Sequence, residues 1–202
     1  MKILALELSS ARGSIAALNA TILSRDWANN RKHSGLFFEN LARVQREFGA
    51  PEKIIVGLGP GSYAGTRIAI SAAIGLQAAS KAQLVGFPSI CAIETDEVEY
   101  GVIGDARRNS FFFARVSDNN LVEGPTLLGE AELHEKLDKL TKMSIFCSEP
   151  LPQFKHAILN YPSATILGRL AQNPKRAFVS PPLEPIYLRE PHITVPQSTV
   201  VT

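Results

Sequence analysis

The sequence is poor in sulfur, in aromatic side chains and in surplus charge. Its 202 residues include two cysteines, two methionines and one tryptophan, and aromatics make up only 7%. Cys91 and Cys147 lie far apart in apolar surroundings and read as buried free thiols of a reducing compartment, with a disulfide left open. The formal net charge is +2, and no run of Lys and Arg exceeds two adjacent residues. That argues against a dedicated nucleic-acid groove, which needs a basic stripe. The pairs Arg107–Arg108 and Lys175–Arg176 read as solvated surface. Long hydrophobic runs are missing as well. The best candidate, Ile68 to Ser80, falls short of the roughly 20 residues that a membrane span needs. The segment after Met1-Lys2 leads straight into an apolar strand, without the h-region and cleavage site of a signal peptide. A soluble, cytoplasmic protein is expected, long enough to bury a real core.

Several chemistries are unsupported by motif. His33, His134, His156 and His192 show neither H-x-x-x-H nor H-E-x-x-H spacing, so no metal site is signalled. No G-x-S-x-G elbow occurs, and Ser62 sits in a turn with no assigned base. The stretch from Gly57 to Arg67 comes nearest to a known site. It follows the apolar run Ile54-Ile55-Val56 and leads into a helix expected from Thr66 to Lys81. Glycine-rich turns between a strand and a helix bind phosphates, because free backbone N–H groups point outward there. Yet Thr66 and Arg67 stand where a P-loop needs Lys and Ser/Thr. Gly59, Gly61 and Gly65 are also spaced one residue too far for a dinucleotide fingerprint. The plainer reading is a tight turn with positive φ and close helix–strand packing.

The helix after this loop carries Ser71, Gly75 and Ala79 at four-residue spacing, with Ala72 beside them. Glycine in mid-helix costs about 1 kcal/mol relative to alanine, so Gly75 points to a close backbone approach. Ile68, Ile70, Ile74 and Leu76 fill much of the remaining surface, which predicts burial on most sides. Two readings stay open: a central helix packed within its own domain, or a face that meets a partner protein.

The chain reads as two halves. Ile3 to Leu18 is strand, polar turn, strand, and Val102 to Val116 repeats that layout, with Glu7 and Asp105 in corresponding positions. A carboxylate pair across a cleft is conceivable there, although solvated or hydrogen-bonded structural acids are the simpler reading. In the first half, Phe37, Leu41, Val44 and Phe48 form an apolar stripe on a helix from about His33 to Phe48. Strands follow at Ile54–Leu58 and Leu84–Phe87, and Pro88-Ser89 opens another helix. The acidic run Glu94 to Glu99 marks a boundary. Beyond it come an extended hairpin from Val102 to Leu128, a helix near Glu130–Lys142, a strand at Ser144–Ser148 and a helix at Ser163–Gln172. The tail from Ser180, with Pro181, Pro182, Pro185, Pro191 and Pro196, is expected to be irregular. Strands alternating with helices make this an α/β protein.

Four segments carry a resemblance to a known family. They are Ile3-Leu-Ala-Leu-Glu-Leu-Ser-Ser10, Gly59-Pro-Gly-Ser-Tyr-Ala-Gly-Thr-Arg-Ile68, Asp105-Ala-Arg-Arg-Asn109 and Pro185-Ile-Tyr-Leu-Arg-Glu-Pro191. In this order they resemble the bacterial TsaB (YeaZ) family, a component of the tRNA threonylcarbamoyladenosine machinery, over nearly the whole chain. The resemblance implies an actin-like, sugar-kinase-like fold with two related lobes of the ribonuclease H type. Residues 1–98 would form the N-terminal lobe, and residues 99–202 the C-terminal lobe with its proline-rich tail.

In active ATPases of that fold, an aspartate ending the first strand positions Mg²⁺, and a glycine-bearing hairpin receives the phosphates. Here Glu7 replaces the aspartate and Leu8-Ser9-Ser10 replaces the hairpin, whereas TsaB-like chains usually carry Asp-Thr-Ser. Asp105-Ala106-Arg107 also lacks a glycine. Glu7, Ser9, Gly59, Gly61 and Asp105 therefore read as a degenerate nucleotide cleft, with no cofactor and no catalytic residue.

The implied role is that of a partner subunit that activates a related TsaD-like threonylcarbamoyltransferase, alongside a TsaE-like ATPase. It would form a homodimer when alone and contact tRNA only indirectly. Carried onto this chain, the partner surface comprises Leu36, Phe37, Phe38, Ser71, Ala72, Gly75 and Ala79. The alternatives are an ATP-dependent phosphotransferase using Glu7, Asp105 and the Gly59–Gly65 loop, or a peptidase or its regulator, for which no nucleophile–base pair is present.

Overall fold

Strand β1 (Ile3–Glu7) is buried along its whole length, as a central strand covered on both faces must be. It pairs antiparallel with β2 (Arg12–Leu18), which pairs with β3 (Ile22–Ala28). On its other side it pairs in parallel with β4 (Lys53–Gly57), and β4 with β5 (Gln83–Phe87). Two helices make the connections, α1 (Gly35–Phe48) before β4 and α2 (Tyr63–Ser80) before β5. In this computed structural model the described residues are 1–29 and 34–189.

The second half repeats the plan. Strands β6 (Glu99–Asp105), β7 (Ser110–Ser117) and β8 (Asn120–Gly129) form an antiparallel meander. Helix α3 (Glu130–Asp138) leads to β9 (Ser144–Cys147), which lies parallel to β6, and β10 (Ile158–Leu159) extends the edge. The sheet orders are β3-β2-β1-β4-β5 and β10-β9-β6-β7-β8. Read from their meander edges, the two are the same. The internal echo in the sequence is thus a duplication of topology, and Glu7 and Asp105 end equivalent strands.

Strand alternation sorts the core. Leu4, Leu6, Ile54 and Val56 face α1 and α2, whose Phe37, Leu41, Val44, Ala69 and Ala73 cover them. Ile3, Ala5, Ile55 and Val85 face the other way, toward helix α4 (Ala164–Ala171) and toward Tyr100, Val102 and Phe112 of the second sheet. The outer face of the second sheet packs Ile103, Phe111 and Phe113 against Leu133 of α3. Helix α4 lies between the lobes. Its Ala164 N–H donates to Ser14 Oγ at 2.8 Å, and the buried Lys53 ammonium donates to the Ala171 carbonyl at 3.1 Å. A cation at a helix C-terminus meets the negative end of its dipole.

The chain then returns to the first lobe. Val179 pairs with Gly86, and Leu183 and Ile186 join the core beneath α2. The first sheet ends at Phe87 and the second begins at Glu99, while helix α4 and the segment as far as Ile186 pack against the first sheet.

Some expectations are corrected. Helix α2 begins at Tyr63, three residues before Thr66, because Ser62 caps it by accepting the Gly65 N–H at 3.2 Å. Helix α1 is described from Gly35, and the expected start at His33 lies outside the described residues. Pro88-Ser89 opens only a 3₁₀ turn, Ser89–Ala92, and α3 stops at Asp138 rather than Lys142. The expected hairpin over Val102–Leu128 is a three-stranded meander, while β3 and β10 were not expected from sequence. The tail is irregular as far as Arg189, and Pro191 and Pro196 lie outside the described residues. Both cysteines are free and buried, and burial pushes the Cys91 thiol up to about 12. No described helix is long and apolar enough to cross a membrane.

Candidate functional site

Where the two sheets meet end to end, a cleft of about 900 Å³ opens between the β1–β2 turn, the start of α2, the β6–β7 turn and the strap 185–189. Ser9, Gly61 and Asp105 line it, as the sequence leads one to expect; Glu7 and Gly59 do not. Glu7 is fully buried. Its Oε1 accepts the Ser9 N–H at 2.6 Å, while Oε2 has no hydrogen-bond partner of good geometry among the described residues. It lies over Gly57, where an added Cβ would overlap Oε2 and come within 2.5 Å of Ser89 Oγ. The carboxylate is therefore held beneath the cleft floor, and the proposed pair with Asp105 is not formed.

Asp105 is occupied too. Its Oδ1 accepts the Arg107 N–H at 2.6 Å and its Oδ2 pairs with Arg107 Nη1 at 3.1 Å. Its own N–H donates to Glu149 Oε1 at 3.0 Å. Among the described residues no group of three or more His, Cys, Asp or Glu could hold a metal ion.

The glycine loop serves packing. Gly59 adopts φ +87° and is stitched to Ser89, donating its N–H to the hydroxyl at 2.9 Å and accepting the Ser89 N–H at 2.8 Å. An added Cβ at Gly61 would overlap the Ser9 carbonyl oxygen, and one at Gly65 would overlap that of Leu8. Ser62 N–H donates to the Ser9 carbonyl at 2.6 Å. The backbones of loop and turn thus touch directly. Ser89, fully buried at the hub of this latch, was not singled out from sequence, since a serine after Pro88 carries no signal there.

Burial raises the Glu7 pKa, opposed in part by the Ser9 and Ser89 hydroxyls and the neighbouring backbone N–H groups. The folded chain then holds this proton more tightly than the unfolded chain. Its contribution to stability is greatest below the ordinary glutamate value near 4.5 and declines as pH rises toward the raised folded value. Glu7→Gln keeps the acceptor for Ser9 and turns an amide donor toward Ser89. It should stabilise the chain at pH 8 by about 1 kcal/mol or more, with a smaller gain at pH 5. Urea unfolding at both pH values checks this; an equal effect at both would mean that Glu7 ionises without cost.

The second candidate surface is the outer face of α1 and α2. Leu36, Phe38 and Ile74 are 44%, 50% and 49% exposed. Ser71, Gly75 and Ala79 are exposed and Ala72 is half-buried. Phe37 is corrected. It is 2% exposed and packs beside Trp27 and Phe38 in the core, because its place on the Phe37–Leu41–Val44 stripe turns it to the sheet. The expected burial of α2 on most sides is corrected as well: its inner face alone meets the sheet. Nothing lies within 4 Å of a Cβ added at Gly75, so no close approach within the chain accounts for that glycine. Ile74 was absent from the sequence-based surface, although it sits three residues after Ser71.

Two five-stranded sheets of the same order, related by duplication and joined around one cleft, define the actin-like, ribonuclease H-like class of α/β proteins. Residues 30–179 match the sequence model of the family described as "TsaD: tRNA N6-adenosine threonylcarbamoyltransferase", and the chain belongs to that family. Two solved structures from Pseudomonas aeruginosa share the fold. One is described as an uncharacterized protein with similarity to peptidase YEAZ (TM-score 0.73, 21% identity, 93% of this chain and 99% of that one). The other is YeaZ (TM-score 0.72, 19% identity, with the same coverage). No curated protein matches the sequence.

Proposed function

We propose that this chain is a non-catalytic partner subunit that binds and activates a catalytic threonylcarbamoyltransferase of its own family for tRNA threonylcarbamoyladenosine modification. The observation that carries the reading is Gly75. A mid-helix glycine with open space around it, on a helix that exposes Ser71, Ile74 and Ala79, fits a surface shaped for another backbone. Leu36 and Phe38 on α1 would add the apolar contact area, as anchors at the centre of an interface do. In the absence of the catalytic subunit the same face would pair two copies of this chain, and an ATPase subunit would complete the complex.

The buried Glu7 and the arginine-bound Asp105 favour this role over an ATP-dependent phosphotransferase, since neither carboxylate is free to hold Mg²⁺. Binding would act by favouring the active conformation of the partner, through contacts made in that state alone. Co-purification with the catalytic subunit of the same organism, followed by tRNA modification with and without this chain, tests the reading. Complex formation and a requirement for this chain are expected. Modification at full rate without it, or magnesium-dependent ATP turnover by this chain alone, would overturn it.

A further inference from the structure

The mouth of the cleft gathers arginines and tyrosines that are scattered in the sequence. Tyr63 in the first turn of α2 and Tyr187 in the strap lie with ring centroids 5.5 Å apart, and both are about half exposed. Arg67, one turn along α2, donates Nη1 to Tyr63 Oη at 2.8 Å and lies 5.0 Å from the centre of its ring. Two residues past Tyr187, Arg189 reaches across the cleft to the Arg107 carbonyl at 3.5 Å. Arg107, Arg108 and Asn109 hold φ of 65°, 55° and 56° in succession. Three consecutive non-glycine residues in the left-handed region are costly, and such strain gathers at functional sites.

Charge accounting leaves a surplus of free cations. Asp105 is taken by Arg107, Glu149 accepts the Asp105 N–H, and Glu184 lies near Tyr187. Arg67, Arg108 and Arg189 take part in no ion pair among the described residues, and Arg108 uses only its backbone carbonyl, which accepts from Ser110 Oγ at 3.5 Å, so its guanidinium makes no hydrogen bond among them. Exposed rings beside guanidinium groups at the mouth of one cleft suit a strand whose bases stack and whose phosphates need neutralising. An acidic peptide would use the cations and leave both ring faces idle.

We propose that this stripe binds single-stranded RNA directly, with bases on Tyr63 and Tyr187 and phosphates on Arg67, Arg108 and Arg189. The proposal rests on the RNA substrate in the family's description, and does not need the partner reading. It replaces the indirect tRNA contact that the resemblance implies. A basic stripe was invisible in the sequence, because its arginines come from α2, the β6–β7 turn and the strap.

The test is fluorescence anisotropy of a labelled ten-nucleotide oligouridylate with the full chain over a salt series. Tyr63→Ala should weaken binding about tenfold, while Tyr63→Phe, which keeps the ring, should stay within about twofold. Arg108→Gln should weaken binding and lower the magnitude of the log–log salt slope by about 0.7. Thermal unfolding of each variant separates misfolding from lost contacts. Affinity and slope unchanged in Tyr63→Ala and Arg108→Gln would overturn the proposal. So would loss of the complex with the catalytic subunit at unchanged RNA affinity, which would make the stripe a protein interface. Weakened RNA binding with that complex intact is the expected result, and it leaves the partner reading to its own test.

Discussion

Replacing Gly75 with leucine should strengthen the isolated chain and destroy its complex. In the monomer the site is open, with nothing within 4 Å of the new Cβ. Leucine is a better helix former than glycine, so the variant gains about 0.8 kcal/mol of folding stability. In the complex, the side chain would stand where another backbone approaches. Overpacking of that kind costs about 3 kcal/mol, which is roughly a hundredfold loss of affinity. Urea unfolding at protein concentrations below self-association reads the first effect, and titration of the labelled variant with the catalytic subunit reads the second. The opposite signs make the experiment sharp. Unchanged affinity in a well-folded variant would remove this face of α2 from the interface and leave Gly75 without a role.

Ten residues earlier, the same kind of substitution should do the reverse. Gly65 also lies within α2, where glycine to alanine ordinarily gains about 1 kcal/mol. Here an added methyl would overlap the Leu8 carbonyl oxygen, which belongs to the backbone of the β1–β2 turn and has little room to yield. A net loss of about 2–3 kcal/mol follows, or roughly 5–10 °C in Tm for a chain of this length. The result decides what the glycine loop is for. If Gly65 were present to let a phosphate approach, the ligand-free chain would accept alanine without penalty. An unfolding midpoint at or above that of the native chain would therefore discard the packing account.

These two glycines show where the sequence is legible. The sequence marks Gly65 as a turn glycine and Gly75 as a helix glycine, and at both it announces that a side chain is unwelcome. Only the fold says what stands in the way. For Gly65 it is the chain's own turn; for Gly75 it is nothing in this chain. Phe37 teaches the same point from the other side. It sits between Leu36 and Phe38, both exposed, and their apolar character alone cannot separate core from surface. The stripe through Leu41 and Val44 does separate them, and it was visible from the start.

Strand β3 escaped notice because Ser24 and Asp26 interrupt its apolar residues, and pairing with β2 holds it as an edge strand. The doubled hairpins escaped nothing. Apolar runs ending in Glu7 and Asp105 predicted equivalent strands, and both sheets carry them at equivalent positions.

What the sequence determined by itself is local and periodic: strand alternation, the α1 stripe, the glycine turn before α2, and the duplication of one topology. Each depends on residues a few positions apart, whose geometry the backbone fixes. What only the tertiary structure decided is how distant segments meet. It placed Glu7 under Gly57 and Ser89, closed the lobes around α4, and drew Tyr63, Arg108 and Arg189 to one rim. Burial and electrostatics are properties of neighbours in space. A carboxylate at the end of a strand becomes a buried structural acid or an exposed ion-pair partner according to what packs against it.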